Sequence, residues 1–264
     1  MRVGGKVVVV TGGASGIGRA LAERFAHEGA SAVVVGDLDG DGAEDVGRGI
    51  GGAGYACDVS REDDIVQLID ETERRFGPIG LFCSNAGVLQ GLDRCSEHPA
   101  GAADALWAQS WSVNVMAHVW AARALAPRMR QRGGGWFLHT ASAAGLLSQV
   151  GSAIYSTTKH AAIGFAENLA ISHRDHGIRV AVLCPQGVDT AMLRHGPEGP
   201  ASFDGVLSPE AVAEAVVRRL EAETFLILPH PEVLGYMRVK AESYDRWLGG
   251  MGKLQRVMRE RYRS

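Results

Sequence analysis

A chain of 264 residues with 46% hydrophobic side chains is long enough to bury the core of one large α/β domain. Its net charge of −3 lacks the basic excess that a nucleic-acid partner requires. No stretch reaches the roughly 18 consecutive apolar residues of a membrane helix, so no membrane partner is expected.

The chain begins MRVGGKVVVVTGG and passes straight into a strand-like run, without the apolar stretch of a signal peptide; a cytoplasmic protein is the expectation. Val7 to Val10 is an unbroken β-branched run, the pattern of a parallel strand covered on both faces. TGGASGIG follows at Thr11 to Gly18, and helical periodicity runs from Ile17 to about Glu28. Strand, glycine turn and helix in that order form the context that a dinucleotide site requires; the alternative is a plain glycine-rich turn. Gly12, Gly16 and Gly18 permit the turn, the approach of backbone to pyrophosphate, and close helix–strand packing. The helix N-terminus then faces the phosphates.

The second strand, Ala32 to Val35, runs into Gly-Asp37-Leu38-Asp. A carboxylate at Asp37 suits the hydroxyls of an adenosine ribose and repels a 2′-phosphate. The glycine turn holds no Arg or Lys, so both features point to NAD rather than NADP. A weak helix is expected from Asp41 to Gly49 and a third strand from Tyr55 to Cys57. Asp58 follows, either contacting the adenine or serving as an ordinary loop acid. Ser60 and Asp63 have the spacing of a capping box, ahead of a helix burying Ile65, Leu68, Ile69, Thr72 and Phe76. A fourth strand, Ile79 to Ser84, leads into Asn85-Ala86-Gly87, whose small residues let backbone lie against a cofactor ribose.

Helical character resumes from about Ala103 to Arg132, with Pro127 expected to kink its last turns. Asn114 sits inside it, where an amide competes for the backbone. A local distortion that frees a carbonyl for water is one reading; a helix–helix hydrogen bond is the other. The fifth strand is Trp136 to Thr140, and Ser142 lies just past its C-terminal end, where open α/β sheets place ligands. Tyr155 and Lys159 fall one helical turn apart, on a helix expected to reach His176. A phenol titrates near ~10, so a base at neutral pH needs its pKa lowered by ~3 units, about 4 kcal/mol. An adjacent ammonium supplies such a bias. Lys is used here although only four of the 27 basic residues are Lys, and a point charge is not replaced by a guanidinium fork.

Val180 to Leu183 is the sixth strand, and Cys184-Pro185-Gln186-Gly187-Val188-Asp189-Thr190 follows. Residues 191–207, with Pro197, Gly199 and Pro200, are expected to form a mobile lid over the substrate. Ser208 and Pro209 start another helix, Phe225 to Leu228 is a last strand, and 232–264 forms a helical extension. Cys57, Cys83, Cys95 and Cys184 show no Cys-x-x-Cys spacing, so neither a metal site nor a redox pair is expected. With no repeat and no long linker, residues 1–264 are expected to be one dinucleotide-binding and catalytic domain.

TGGASGIG, Asp37, Asn85-Ala86-Gly87, Asn114, Ser142 and Tyr155-x-x-x-Lys159, in that order, resemble the short-chain dehydrogenase/reductase family over roughly residues 5–190. The resemblance implies a Rossmann-type α/β fold, a doubly wound parallel seven-stranded sheet with helices on both faces. It implies NAD-dependent transfer of hydride between a secondary alcohol or ketone and nicotinamide. Tyr155 would be the acid/base, Lys159 would lower its pKa and hold the nicotinamide ribose, Ser142 would steady the substrate oxygen, and Asn114 would anchor a water. Thr11, Gly12, Ser15, Gly16, Ile17 and Gly18 would surround the pyrophosphate; Asp37, Leu38, Asp58 and Val59 the adenosine; Asn85, Ala86 and Gly87 the ribose. Pro185, Gly187, Val188 and Thr190 would meet the nicotinamide, with Thr190 at its carboxamide. The family's Pro-Gly after strand six reads Pro185-Gln186 here, which places a long side chain at the nicotinamide pocket.

Met192, Leu193, Phe203, Val206 and Leu207 point to a hydrophobic small-molecule substrate, with His195 as a polar contact or a plain surface residue. Helices 103–132 and 152–176 are apolar on more than one face, and the resemblance implies that they pair in a homo-oligomer, a tetramer or alternatively a dimer. A different class of function, an NAD-binding sensor or scaffold without turnover, would have no need of a tuned phenol.

Overall fold

A computed structural model describes residues 1–93, 98, 100–194 and 202–263. Cys95, His195, Pro197, Gly199 and Pro200, and with them the centre of the expected lid, lie outside the described residues. Seven parallel strands form one sheet: β1 (Val7–Thr11), β2 (Ala32–Asp37), β3 (Ala53–Ala56), β4 (Ile79–Ser84), β5 (Gly135–Thr140), β6 (Ile178–Leu183) and β7 (Leu226–Ile227). Their order is β3-β2-β1-β4-β5-β6-β7. The direction of winding reverses between β1 and β4, so their C-terminal ends open a crevice.

The two faces of β1 show why its valines are unbroken. Val7 and Val9 pack with Ile65, Leu68 and Ile69 of α3 (Glu62–Phe76), beside Leu125 and Met129 of α5 (Ala117–Gln131). Ile163 and Leu169 of α7 (Ala153–His173) complete that layer. Val8 and Val10 face Leu21 and Phe25 of α1 (Gly16–His27), with Ala43 and Val46 of α2 (Gly40–Gly49) and Val216 and Leu220 of α9 (Pro209–Glu221). A strand covered on both sides has no polar face to show.

Three local expectations are corrected. β3 runs Ala53–Ala56 rather than Tyr55 to Cys57, because its pairing with β2 sets its limits, from Val34↔Ala53 to Asp37↔Ala56. Ser60 does not cap α3; its N–H and hydroxyl donate to Asp58 Oδ1 at 2.9 and 2.7 Å, and Arg61 stands at the helix entry. The helix of Tyr155 ends at His173, and a 3₁₀ turn carries residues 174–176. The helix bearing Pro127 continues through it to Gln131. Ser208 caps α9 as expected, its hydroxyl accepting from Ala211 N at 3.2 Å.

Asn114 lies in a π-helical turn, Ser112–Met116, between α4 (Asp104–Trp111) and α5. This is the distortion its placement inside a helix predicts. The described lid residues include the short helix α8 (Ala191–Arg194) and Phe203 and Asp204. Two helices close the chain, α10 (Glu232–Glu242) and α11 (Tyr244–Arg263), and none in the described chain is long and apolar enough to cross a membrane.

Candidate active site

A cavity of about 910 Å³ opens along the C-terminal ends of the strands. At one end lies the turn after β1. Gly12 has φ of 65°, and a Cβ on it would stand 2.7 Å from Ala86 Cα. A Cβ on Gly18 would meet Gly12 O at 1.9 Å, so only glycine lets α1 sit on its own turn. Gly16 has φ of 52° and faces Thr190. Ser15, the N-cap of α1, makes no side-chain cap hydrogen bond, and the first turn holds no acid. Ser15, Gly16, Ile17 and Gly18 all line the cavity. Helix N–H groups left open at a cavity wall fit a pyrophosphate.

Thr11 and Asn85 serve the scaffold instead. Thr11 is buried and does not line the cavity; its hydroxyl donates to Cys83 O at 3.3 Å and accepts from Asn85 N at 3.0 Å and Ala86 N at 3.3 Å. The Asn85 amide donates to Thr11 O and Gly12 O at 3.1 and 3.3 Å, and its oxygen accepts from Thr140 at 3.0 Å. Asn85 lines the cavity with its polar groups committed to β1 and β5, so it straps the crevice rather than reaching across it. Ala86 and Gly87 line the same wall.

Asp37 ends β2 with each carboxylate oxygen accepting one backbone N–H, from Ala14 at 3.0 Å and Asp39 at 3.1 Å. Those bonds fix the carboxylate and leave further lone pairs facing the cavity. Exposed Leu38, buried Val59, and Asp58 complete this end. Asp58 already accepts both donors of Ser60, and its own N–H donates to Asp64 at 3.0 Å. The charged residues lining this end, Asp37 and Asp58, are both acidic.

The reactive groups gather at mid-cavity. Ser142 and Tyr155 are each 9% exposed and Lys159 is 3% exposed. The Ser142 hydroxyl accepts from Ala144 N at 3.1 Å and stands beside the phenol, favouring its ionised form. Burial acts the other way and prevails, so the Tyr155 pKa lies above the usual phenol value. In the cofactor-free chain this direction is opposite to the lowering expected beside an ammonium. The Lys159 Nζ lies 5.6 Å from the centre of the Tyr155 ring and donates to Thr140 O at 3.0 Å. Burial pulls its pKa from 10.5 to about 8. Both groups are buried, and for each of them loss of water disfavours the charged form.

Asn114 holds the floor of this site without lining it. Its Oδ1 accepts from Val88 N at 2.9 Å, and its Nδ2 donates to Val88 O at 2.9 Å and Thr158 Oγ1 at 3.2 Å. The side chain is therefore a clamp between the loop after β4 and α7, combining both readings of its sequence position. Gly87 makes room: a Cβ there would lie 3.2 Å from Lys159 Nζ and 3.3 Å from Asn114 Oδ1.

Past β6, Pro185, Val188 and Thr190 line the cavity and Gly187 does not. Gln186 lines it too; its N–H donates to His230 Nδ1 at 3.2 Å, and its side-chain oxygen is buried without a partner. Sequence reasoning missed three features. Cys184 is buried behind the reactive groups, its thiol pushed up to about 12 by desolvation. His118 and His139 form a buried pair, Nδ1 to Nδ1 at 3.0 Å, on α5 and β5. The far end of the cavity is roofed by Tyr236 and Val239 of α10 and by a face of α11, which no local motif announces.

The sequence model for short chain dehydrogenases matches residues 6–200. The chain belongs to the short-chain dehydrogenase/reductase family. It is similar to the 1-deoxy-11-beta-hydroxypentalenate dehydrogenase of Streptomyces exfoliatus, 36% identical over 257 residues, covering 92% of this chain and 88% of the relative. Epidermal retinol dehydrogenase 2 of Homo sapiens is 31% identical over 237 residues, covering 86% of this chain and 75% of the relative. Among solved structures, a short chain dehydrogenase/reductase from Burkholderia phymatum in complex with NAD superposes with a TM-score of 0.80 at 29% identity, over 93% of this chain and 96% of the other. This short-chain dehydrogenase/reductase is thus an oxidoreductase of alcohol and ketone groups, and not a nucleotide binder without turnover.

Proposed function

We propose that this dehydrogenase uses NAD in preference to NADP to interconvert an apolar secondary alcohol and its ketone, with Tyr155 as the acid/base. The observation that carries the reading is the convergence of Tyr155, Ser142 and Lys159 on the same cavity wall as the open N-terminus of α1. Bound NAD supplies the hydride acceptor, and NADH the donor. The chain's residues do the rest. Ser15, Gly16, Ile17 and Gly18 hold the pyrophosphate through backbone N–H groups, and Asp37 takes the adenosine ribose hydroxyls. Thr190, Pro185 and Val188 bound the nicotinamide pocket.

In reduction, the protonated phenol of Tyr155 gives its proton to the carbonyl oxygen, which the Ser142 hydroxyl orients; in oxidation the phenol first releases its proton to solvent by way of Lys159, and the phenolate oxygen then takes the proton of the alcohol. The raised phenol pKa of the cofactor-free protein keeps this proton in place. Lys159, with a pKa near 8, exchanges its own proton close to neutral pH and stands beside the ring to recharge it. Asn114 keeps Lys159 and Val88 in register. The fit of these residues to NAD rests on the uncapped helix and on the absence of cationic lining at the Asp37 end among the described residues.

Replacing Tyr155 by Phe tests the reading: turnover should fall by roughly 10²–10⁴-fold while NADH still binds, as followed by its fluorescence. Retention of most activity sinks the assignment. On the same footing we place residues 1–264 in one domain of a cytoplasmic homo-oligomer, a tetramer before a dimer, paired through α5 and α7, where Ile171 is exposed. Sedimentation at the 28.0 kDa of a single chain would remove that part.

A further inference from the structure

Leu89, Leu147, Val150, Met192 and Phe203 wall an apolar chamber of the same cavity. Its roof is α10 and α11. The α11 residues that line it are Arg246, Trp247, Gly250, Met251 and Leu254. Positions 246, 250 and 254 recur every fourth residue, and 247 and 251 lie beside them, so they form one stripe of the helix. Arg246 therefore stands on the chamber-facing stripe, not on the outer face. Gly250, one turn on, leaves open space below it.

The other polar groups of the roof are occupied. Tyr236 donates its hydroxyl to Asp204 at 2.9 Å. Lys240 donates to Leu146 O at 2.7 Å and lies 4.8 Å from the centre of the Trp247 ring, tying α10 and α11 over the short helix α6 (Ala144–Leu147) that follows Ser142. Arg246 has no acidic partner among the described residues. It is also the only guanidinium lining the cavity among the described residues, and the other cation there, Lys159, belongs to the reaction centre.

We propose that Arg246 is a specificity residue: it anchors a carboxylate, or a similar monoanionic group, at the far end of an otherwise apolar carbinol or ketone. The inference rests on the oxidoreductase reading of the same site and names its substrate class, an amphiphilic hydroxy or keto acid. The chemistry matches the location. An apolar body fills the chamber and gains from leaving water. A carboxylate buried among those side chains would be costly, but at the exposed mouth it keeps part of its hydration and meets a forked donor. Asp204, already turned to Tyr236, opposes acids that are too short or misplaced and so adds selectivity.

The test pairs a rigid alicyclic carbinol acid with its methyl ester, assayed by NADH absorbance with wild type, Arg246→Gln and Arg246→Lys. The expected result is a preference of wild type for the acid of about five- to tenfold in kcat/KM, shrinking as salt is raised. Arg246→Gln brings the acid-to-ester ratio towards one, and Arg246→Lys keeps part of the preference. Equal use of acid and ester by wild type overturns the anchor, and so does a Gln variant that keeps the acid preference. If only short neutral alcohols are oxidised, the anchor falls while the oxidoreductase reading stands. If no carbinol reduces NAD or NADP, the reading beneath it fails as well.

Discussion

Lys159→Met should make the cofactor-free enzyme more stable while abolishing its turnover. Lys159 is 3% exposed, and among the described residues its ammonium has one hydrogen bond, to Thr140 O at 3.0 Å. Burial lowers its pKa from 10.5 to about 8. That gap is roughly 3 kcal/mol of disfavour for the charged form at pH 7. Because the unfolded chain holds the proton more tightly, the cost is complete below pH 8, shrinks as pH rises, and is gone above 10.5. Methionine of similar length removes it but leaves Thr140 O without its donor, a loss of ~1–2 kcal/mol. The net gain at pH 7 is then ~1–2 kcal/mol, or roughly 2–5 °C in Tm for a chain of this size. At pH 10.5 neutral lysine still bonds Thr140, so the sign should invert and the variant should melt first. Calorimetry of both proteins at the two pH values measures this directly. A Met variant less stable at pH 7, or a difference that does not change with pH, refutes the claim that charge burial is what costs.

Three further outcomes follow from the geometry. Asp37→Arg replaces the carboxylate beside Ala14 N by a cation, and should move the NAD-to-NADP ratio of kcat/KM towards NADP by at least tenfold; an unchanged ratio would show that Asp37 does not read the ribose. His139 is buried neutral with a pKa of about 3, so acidification below 6.5 costs its fold ~1.4 kcal/mol per pH unit until about pH 3. His139→Thr should therefore flatten the fall in unfolding free energy between pH 6 and 4, and equal slopes in urea titrations would disprove it. Gly18→Ala forces a Cβ to within 1.9 Å of Gly12 O, so NADH affinity and folding yield should drop together. A well-folded Ala variant with wild-type NADH binding would contradict that packing.

Much of this protein is written in short-range pattern. The valines of β1 announce a strand covered on both faces, and the run from Thr11 to Gly18 announces its turn by residues whose missing Cβ atoms the structure requires. Tyr155 and Lys159 share a face because helical period is a local property, and Asn114 marks the π turn because an amide inside a helix is locally out of place. Hydrogen-bond partners and desolvation belong to the assembled fold. Thr11 and Asn85 sit in the right motif, yet their donors are consumed by β4 and β1 and the Asn85 oxygen by β5, strands distant in sequence. The Tyr155 pKa lies above the usual phenol value because burial, set by every element packed around it, outweighs the hydrogen bond of Ser142. His118 meets His139, and α11 brings Arg246 over the chamber, through contacts that no periodicity encodes. Local spacing determined which chemistry the chain carries; long-range packing decided which of those groups remain free to perform it, since only the folded chain removes water from some and commits the bonds of others.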